Sequence, residues 1–130
     1  MNDFDQAVCL CGSGDEYKDC CGRFIRGDRV ASTAEQLMRS RYTAYAIKDY
    51  AYVMRTWLPS TRPSSLDDDN QPQWCDLAII SAEAGQVQDR EGYVEFEAHY
   101  KLDGRPGKMH ERSYFVKQEG CWFYVQGKIG

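Results

Sequence analysis

The sequence predicts an α+β protein in which a cysteine-rich segment precedes two helices and an antiparallel sheet. Three observations support this fold class. Four of the six cysteines fall within thirteen residues near the start of the chain, apolar side chains then recur at helical spacing, and after residue 73 the apolar period changes to two. The 130 residues are enough for one domain with a small appendage, and we divide them into residues 1–28 and 29–130.

The cysteine-rich segment has the spacing of a closed metal site. Cys9 and Cys11 are separated by one residue, and the adjacent pair Cys20 and Cys21 follows after eight further residues. Zinc is held tetrahedrally by four thiolates at about 2.3 Å, so the chain must fold back within a few residues, which the glycines of 12–14 permit. Because four thiolates leave no open coordination position, we expect structural rather than catalytic zinc.

Other uses of these cysteines fit the sequence less well. A vicinal disulfide between Cys20 and Cys21 would be strained, redox catalysis normally uses Cys-x-x-Cys, and common iron–sulfur clusters have a different spacing. We expect Gly22 to supply the turn that adjacent ligands need, and the segment to be ordered only with metal. Clustered cysteines without a secretion signal at residues 1–5 indicate a reducing, cytoplasmic compartment.

The cysteine-rich segment resembles the SEC-C zinc motif, first described at the C-terminus of the SecA translocation ATPase. The resemblance covers CLCGSGDEYKDCCG, residues 9–22, in cysteine spacing and in the Gly-Ser-Gly-x-x-Tyr-Lys filling. Leu10 stands where proline is usual. Acidic residues replace frequent lysines at three positions: Asp15, Glu16 and Asp19. This acidic filling argues against assuming the acidic chaperone or phospholipid partners of SecA.

Two helices are predicted after the connector. Thr33 follows Ser32 as an N-cap signal for an amphipathic helix over 34–49. A second, shorter helix is predicted over 50–58, and Pro59 should end it. The polar stretch around Asp67, Asp68 and Asp69 is predicted to be an exposed loop rather than a metal site.

A four-stranded antiparallel meander is predicted after this loop. The expected strands are 74–84, 92–102, 108–118 and 121–126. The second strand alternates clearly, with Val94, Phe96 and Ala98 on its apolar face. Asp103-Gly104 and Glu119-Gly120 are predicted to be hairpin turns. The helices should therefore pack on one face of a curved sheet.

The body of the chain resembles the YchJ-like family of bacterial proteins. The matching segments are LMRSRYTAY at 37–45, DY at 49–50, TWLP at 56–59, ERSYF at 111–115 and GCWFY at 120–124. Such proteins combine an N-terminal SEC-C motif with a domain similar to nuclear transport factor two, so the resemblance implies a cone-shaped α+β fold. Cones of this class include enzymes, ligand binders and interaction modules, so the resemblance implies no particular activity.

A carboxylate is predicted to point into the cone. One face of the third strand carries four side chains: Met109, Glu111, Ser113 and Phe115. Methionine and phenylalanine mark this face as the inward one, and a buried carboxylate needs a partner. We expect Glu111 to pair with Arg41, or alternatively with Arg39. Such a pair could be a structural lock between helix and sheet, or a ligand-binding or acid–base group.

The remaining residues narrow the classes of function. The residues expected to bind a ligand in the cone are Arg41, Tyr45, Trp57, Glu111 and Trp122. A net charge of −4 argues against nucleic-acid binding, and no apolar run is long enough for a membrane span. Neither histidine has a nucleophile in pattern, so no catalytic residue is predicted, and Cys75 and Cys121 are expected to be small buried hydrophobes.

The sequence therefore predicts a zinc-binding module that binds a protein or a small molecule. The alternative is a small enzyme that uses Glu111 as an acid–base group. An exposed sheet face would also allow a homodimer.

Overall fold

The computed structural model describes residues 7–66 and 72–129, so the predicted loop at Asp67–Asp69 and the start of the chain lie outside the described residues. A short 3-10 helix, Tyr17–Asp19, is followed by α1 (Cys21–Ile25), α2 (Ala34–Ala46) and α3 (Tyr50–Arg55). The strands are β1 (Gln73–Ala84), β2 (Glu91–Leu102), β3 (Arg105–Gln118) and β4 (Cys121–Ile129). They pair antiparallel in the order β1-β2-β3-β4, which confirms the predicted α+β fold.

Helix α2 begins at the predicted cap and ends earlier than predicted. The hydroxyl of Thr33 accepts a hydrogen bond from the backbone N–H of Gln36 at 3.1 Å, as an N-cap should. The helix stops at Ala46 because Lys48 takes a positive φ of 65°. Asp49 then starts α3 by accepting a hydrogen bond from the N–H of Tyr52.

Helix α3 also ends early, at Arg55 rather than near residue 58. The backbone beyond it turns to pair with β4, since the N–H of Leu58 donates to the carbonyl of Tyr124 at 2.8 Å. The N–H of Tyr124 donates in turn to the carbonyl of Thr56 at 2.9 Å. These bonds attach the end of the helical layer to the last strand.

The hairpins have the turns that the sequence predicts. Asp103 and Gly104 have φ angles of 53° and 79°, and Glu119 and Gly120 have φ angles of 52° and 81°. Two consecutive positive φ angles define the type I′ turn, whose twist matches that of the flanking strands. The third strand begins three residues before its predicted start, and the fourth extends three residues beyond its predicted end.

Register shifts in the two edge strands curve the sheet. They occur between Trp74 and Asp76, between Ile79 and Ser81, and in β4 opposite the Tyr114–Phe115 step. The first shift places Cys75 on the outside, where its thiol is exposed. The expectation that Cys75 is a buried hydrophobe is therefore wrong, and Cys121 is only half-buried.

The concave face of the sheet packs against α2 to form the core. Its most buried members include Leu37, Val94, Phe96, Phe115 and Trp122. The four clustered cysteines belong to the same continuous apolar cluster, so the N-terminal segment packs against the body of the protein. No helix within the described ranges is long and apolar enough to cross a membrane.

Candidate metal centre and cone cavity

The four cysteines predicted as metal ligands converge at one point. Their Sγ atoms all lie within 4.8 Å of one another, and all four side chains are buried. The Sγ atoms of Cys11 and Cys20 are 3.6 Å apart. A tetrahedral zinc site with bonds of about 2.3 Å places its sulfurs about 3.8 Å apart, whereas a disulfide needs about 2.05 Å. The arrangement therefore fits a shared metal ion, and its all-thiolate donor set is compatible with zinc.

Local backbone conformation produces this convergence. Gly12 and Gly14 have φ angles of 83° and 90°, which close the turn after the first two ligands. Cys20 lies at the junction of the 3-10 helix and α1 with φ −121° and ψ −115°, so two adjacent side chains can face one centre. Gly22, predicted to supply this turn, is instead helical. Its missing Cβ lets the carbonyl of Tyr17 approach, because a Cβ would lie 2.7 Å from that oxygen.

Packing the cysteines together shifts the pKa values of Cys11, Cys20 and Cys21 in different directions. Hydrogen bonds from Cys21 and Cys9 hold the pKa of Cys11 far below its usual value, and the side chain and backbone of Ser13 act in the same direction. Burial raises the pKa of Cys20 to about 11, and the bonds to Cys11 and Cys9 raise the pKa of Cys21 strongly. A bound divalent ion would displace the remaining protons, which is the usual coupling between metal binding and thiol ionisation.

The candidate metal centre is attached to helix α2. The Nη1 atom of Arg39 donates to the carbonyl of Cys11 at 2.7 Å, and the Sγ atom of Cys9 lies 3.8 Å from the hydroxyl of Thr43. A second attachment joins the Nη2 atom of Arg55 in α3 to the carbonyl of Ile25 at 2.9 Å. The centre therefore supports the helix that packs on the sheet.

A cavity of about 220 Å³ lies between α2 and the concave face of the sheet. Three of the residues predicted to bind a ligand line it: Arg41, Tyr45 and Glu111. Trp74 and Tyr124, which were not predicted to bind a ligand, also line it. Tyr124 has the same parity as the inward-facing Trp122 on β4, and this period-two signal could have identified it.

The other two predicted residues do not line this cavity. Trp57 packs edge-to-face on Tyr124 with ring centroids 4.9 Å apart. Trp122 is 2% exposed, and its indole N–H donates to the carbonyl of Ser32 at 3.1 Å. Aromatic residues in a small domain are most often core, and Trp122 is one of them.

Arg41 and Glu111 face the same cavity without forming the predicted ion pair. No described pair within 4.0 Å joins them, and Arg39 pairs instead with Glu35 at 3.1 Å. The Nη1 atom of Arg41 donates hydrogen bonds to the carbonyl of Val53 and the hydroxyl of Thr56. The hydroxyl of Ser113 donates to the carboxylate of Glu111. The two charges therefore act on each other through space, without a direct ion pair.

The phenols beside these charges are poor acids. Burial raises the pKa of Tyr124, and the negative charge of Glu111 raises it further. Burial also raises the pKa of Tyr45. Both hydroxyl groups therefore stay protonated at neutral pH and can donate hydrogen bonds.

We expect Glu111→Gln to change the free energy of unfolding by about 1 kcal/mol or less, the net contribution of one hydrogen bond, because no ion pair is lost. The amide oxygen of glutamine can still accept the hydrogen bond from Ser113. Urea unfolding of the purified variant measures the change. A loss of several kcal/mol would restore the interpretation of Glu111 as a structural lock between helix and sheet.

These features define a class of protein: a SEC-C metal motif joined to an NTF2-like cone. The SEC-C family matches residues 7–23, and the family described as "YchJ, middle NTF2-like domain" matches residues 33–127. The chain belongs to this YchJ-like family, whose members are also named UPF0225 proteins.

Similar proteins from several bacteria support this membership. A UPF0225 protein of Chromobacterium violaceum is 44% identical over 128 residues, covering 95% of this chain and 94% of the relative. A UPF0225 protein of Streptomyces coelicolor is 44% identical over 121 residues, covering 93% and 94%. The solution structure of a SEC-C motif containing protein from Rhodopseudomonas palustris has a TM-score of 0.84 at 36% identity, covering 94% of this chain and 98% of that one. The crystal structure of a SEC-C motif containing protein from Psychrobacter arcticus has a TM-score of 0.79 at 26% identity, covering 98% and 85%.

Proposed function

We propose that the protein is a zinc-stabilised binding module whose cone cavity takes a small ligand. The observation that carries the proposal is the cavity itself, because Arg41 and Glu111 both line it and do not neutralise each other by contact. Binding sites in proteins are typically concave, mostly apolar and marked by a few polar groups. Two charged groups of this kind would be costly to bury in a fully packed apolar core.

Zinc has a structural role in this proposal. Four thiolates complete its tetrahedral shell, so the ion would hold Cys9, Cys11, Cys20 and Cys21 together without activating water or substrate. Its place beside α2 would stabilise the helix that forms one wall of the cavity. The four reduced thiols of the cluster and the exposed thiol of Cys75 suit a reducing cytoplasm.

Two measurements test the proposal. Elemental analysis of protein purified without chelator should find one zinc per chain. An NMR screen with a fragment library of mixed charge should shift the methyl resonances of Met38 and Met109, which line the cavity.

Ala98→Leu is the matched control for the screen, because Ala98 lines the cavity and a leucine there would fill part of it. The filled variant should bind zinc normally and lose the fragment response. If no fragment of any class perturbs the cavity of the unaltered protein, the binding function is wrong. If the protein carries no zinc, the structural role of the metal is wrong.

A further inference from the structure

Arg41 is a buried cation with an unused hydrogen-bonding edge. Arg41 is 3% exposed. Its Nη1 atom donates both of its hydrogen bonds, at 2.7 and 2.8 Å. Within the described part of the chain, neither Nε nor Nη2 has an acceptor at hydrogen-bonding distance. Neither atom is among the fully buried unpaired polar atoms of the described residues, so this edge keeps some contact with solvent and can donate to a ligand.

The surroundings of Arg41 stabilise its charge without supplying an anion. Its Cζ atom lies 4.4 Å from the ring centroid of Tyr124 and 5.1 Å from that of Trp57. These cation–π contacts leave the Nε–Nη2 edge unpaired. Two parallel N–H groups on one edge of a guanidinium match the two oxygens of a carboxylate.

Glu111 presents the opposite charge in the same cavity. No cationic side chain of the described residues lies within 4.0 Å of its carboxylate, whose hydrogen-bonding partners are the neutral hydroxyls of Ser113 and Tyr124. The aromatic side chains of Tyr45 and Tyr124 line the cavity beside it. A carboxylate among aromatic faces favours an ammonium group, by direct attraction and by cation–π contact.

The two charges together select a ligand that carries both complementary charges. A simple anion would place a second negative charge near Glu111 in a site of low dielectric, where repulsion is strong. A simple cation would be repelled by the positive charge of Arg41 for the same reason. The remaining wall is apolar, with Met38, Phe96 and Met109, and the volume of about 220 Å³ suits a molecule of amino-acid size.

We propose that the cavity binds an α-amino acid with an apolar side chain, with its carboxylate on the Nε–Nη2 edge of Arg41 and its ammonium facing Glu111. This inference rests on the proposed ligand-binding function and names the class of ligand. The apolar side chain of the ligand packs against the methionines and Phe96.

Calorimetry with four probes that share an isobutyl group tests the charge requirement. The probes are L-leucine, 4-methylpentanoate, 3-methylbutylamine and 4-methylpentanamide, which are zwitterionic, anionic, cationic and neutral. L-leucine should bind about tenfold or more tightly than each of the others, the difference expected for one charge-assisted hydrogen bond. NMR shifts at Met38 and Met109 should place it in the cavity.

Two variants test the binding of the carboxylate end and of the ammonium end separately. Glu111→Gln should weaken L-leucine about tenfold and leave 4-methylpentanoate unchanged or tighter, because repulsion is removed. Arg41→Lys should weaken both carboxylate-bearing probes and spare 3-methylbutylamine, because lysine cannot offer the paired edge. Glu97→Gln, on the outer face beside His99, is the matched control and should change none of the affinities. If Arg41→Lys does not fold, Glu111→Gln still tests the proposal, because it should weaken L-leucine without weakening 4-methylpentanoate.

The outcomes distinguish this inference from the proposed function. If the amide or the anion occupies the cavity as tightly as L-leucine, the amino-acid class is wrong and the ligand-binding function stands. If L-leucine binds but Glu111→Gln weakens it no more than Glu97→Gln does, the assignment of the ammonium end is wrong. If neither these probes nor any fragment reaches the cavity, both proposals are wrong.

Discussion

Replacing Cys11 and Cys21 together by serine should abolish stoichiometric zinc binding and lower the free energy of unfolding by about 3 kcal/mol or more. Both thiols are almost fully buried, at 0% and 1% exposure, and each lies within 4.8 Å of the other three sulfurs. In small zinc peptides the apparent binding free energy is about 10–16 kcal/mol at neutral pH. Part of it is expected to reach the whole domain because the centre is bonded to α2.

The path from the metal centre to the domain can be followed by hydrogen exchange. The N–H groups of Cys9 and Tyr17 are held by backbone bonds of 2.7 and 2.8 Å within the cysteine-rich segment. These amides should lose protection in the double variant, and α2 should lose protection to a smaller extent because the carbonyl of residue 11, which accepts from Arg39, is no longer held in place. Chelation of zinc from the unaltered protein should give the same pattern, and adding zinc back should reverse it.

Cys75→Ser is the matched control, because Cys75 is a cysteine that lies exposed outside the cluster. It should keep one zinc per chain and unfold within about 0.5 kcal/mol of the unaltered protein. Retention of stoichiometric zinc by the double variant would contradict the assignment of the ligands. Equal urea midpoints for the double variant and the control would contradict the stabilising role of the centre.

The parts of this structure that depend on local chemistry could be predicted from the sequence. The cysteine spacing predicted the cluster, because four closely spaced thiols with a glycine-rich turn between them are typical of a metal site. Thr33 predicted the start of α2 through its own hydrogen bond to the helix. Asp103-Gly104 and Glu119-Gly120 predicted their hairpins because these dipeptides tolerate two positive φ angles.

The predictions that were wrong concern features that depend on distant segments of the chain. Cys75 became exposed through a register shift that no periodicity in β1 reveals. Arg41 turned to the carbonyl of Val53 and the hydroxyl of Thr56, two acceptors whose positions follow from the early end of α3. The inward face of β3 was predicted correctly, so Glu111 lies in the cavity, but its distance from Arg41 is set by how the helices sit on the sheet. Alternation predicts the face a residue occupies and leaves its partner undetermined.

Gly92→Ala should lower the free energy of unfolding by about 3 kcal/mol, the upper end of the usual cost of overpacking. Gly92 has no positive φ, so the expected loss comes from contact alone. A Cβ at this position would contact the Cα of Gly85 and lie 2.6 Å from its nitrogen and 3.2 Å from the carbonyl carbon of Ala84. All three are backbone atoms, so the β1–β2 hairpin would have to open.

Opening the hairpin would also disturb the start of α2. The N–H of Gly85 donates to the carbonyl of Glu91 at 3.0 Å, and the carbonyl of Gly85 accepts from the N–H of Ala34 at 2.9 Å. Ala34 is 1% exposed, and this bond satisfies an N–H that the helix itself leaves unpaired. The methyl group should therefore cost both strand pairing and helix attachment.

Gly104→Ala is the matched control for the effect of the added methyl group. Gly104 lies in the turn between β2 and β3 with a φ of 79°, and a Cβ there would have no neighbour within 4 Å. Its cost is the strain of a left-handed conformation, about 1 kcal/mol. Urea unfolding at unchanged m-value measures both variants. Only the substitution at Gly92 brings a new methyl group against backbone atoms. Equal losses of unfolding free energy in the two variants would therefore contradict the argument that the close approach of Gly85 to Gly92 causes the larger effect.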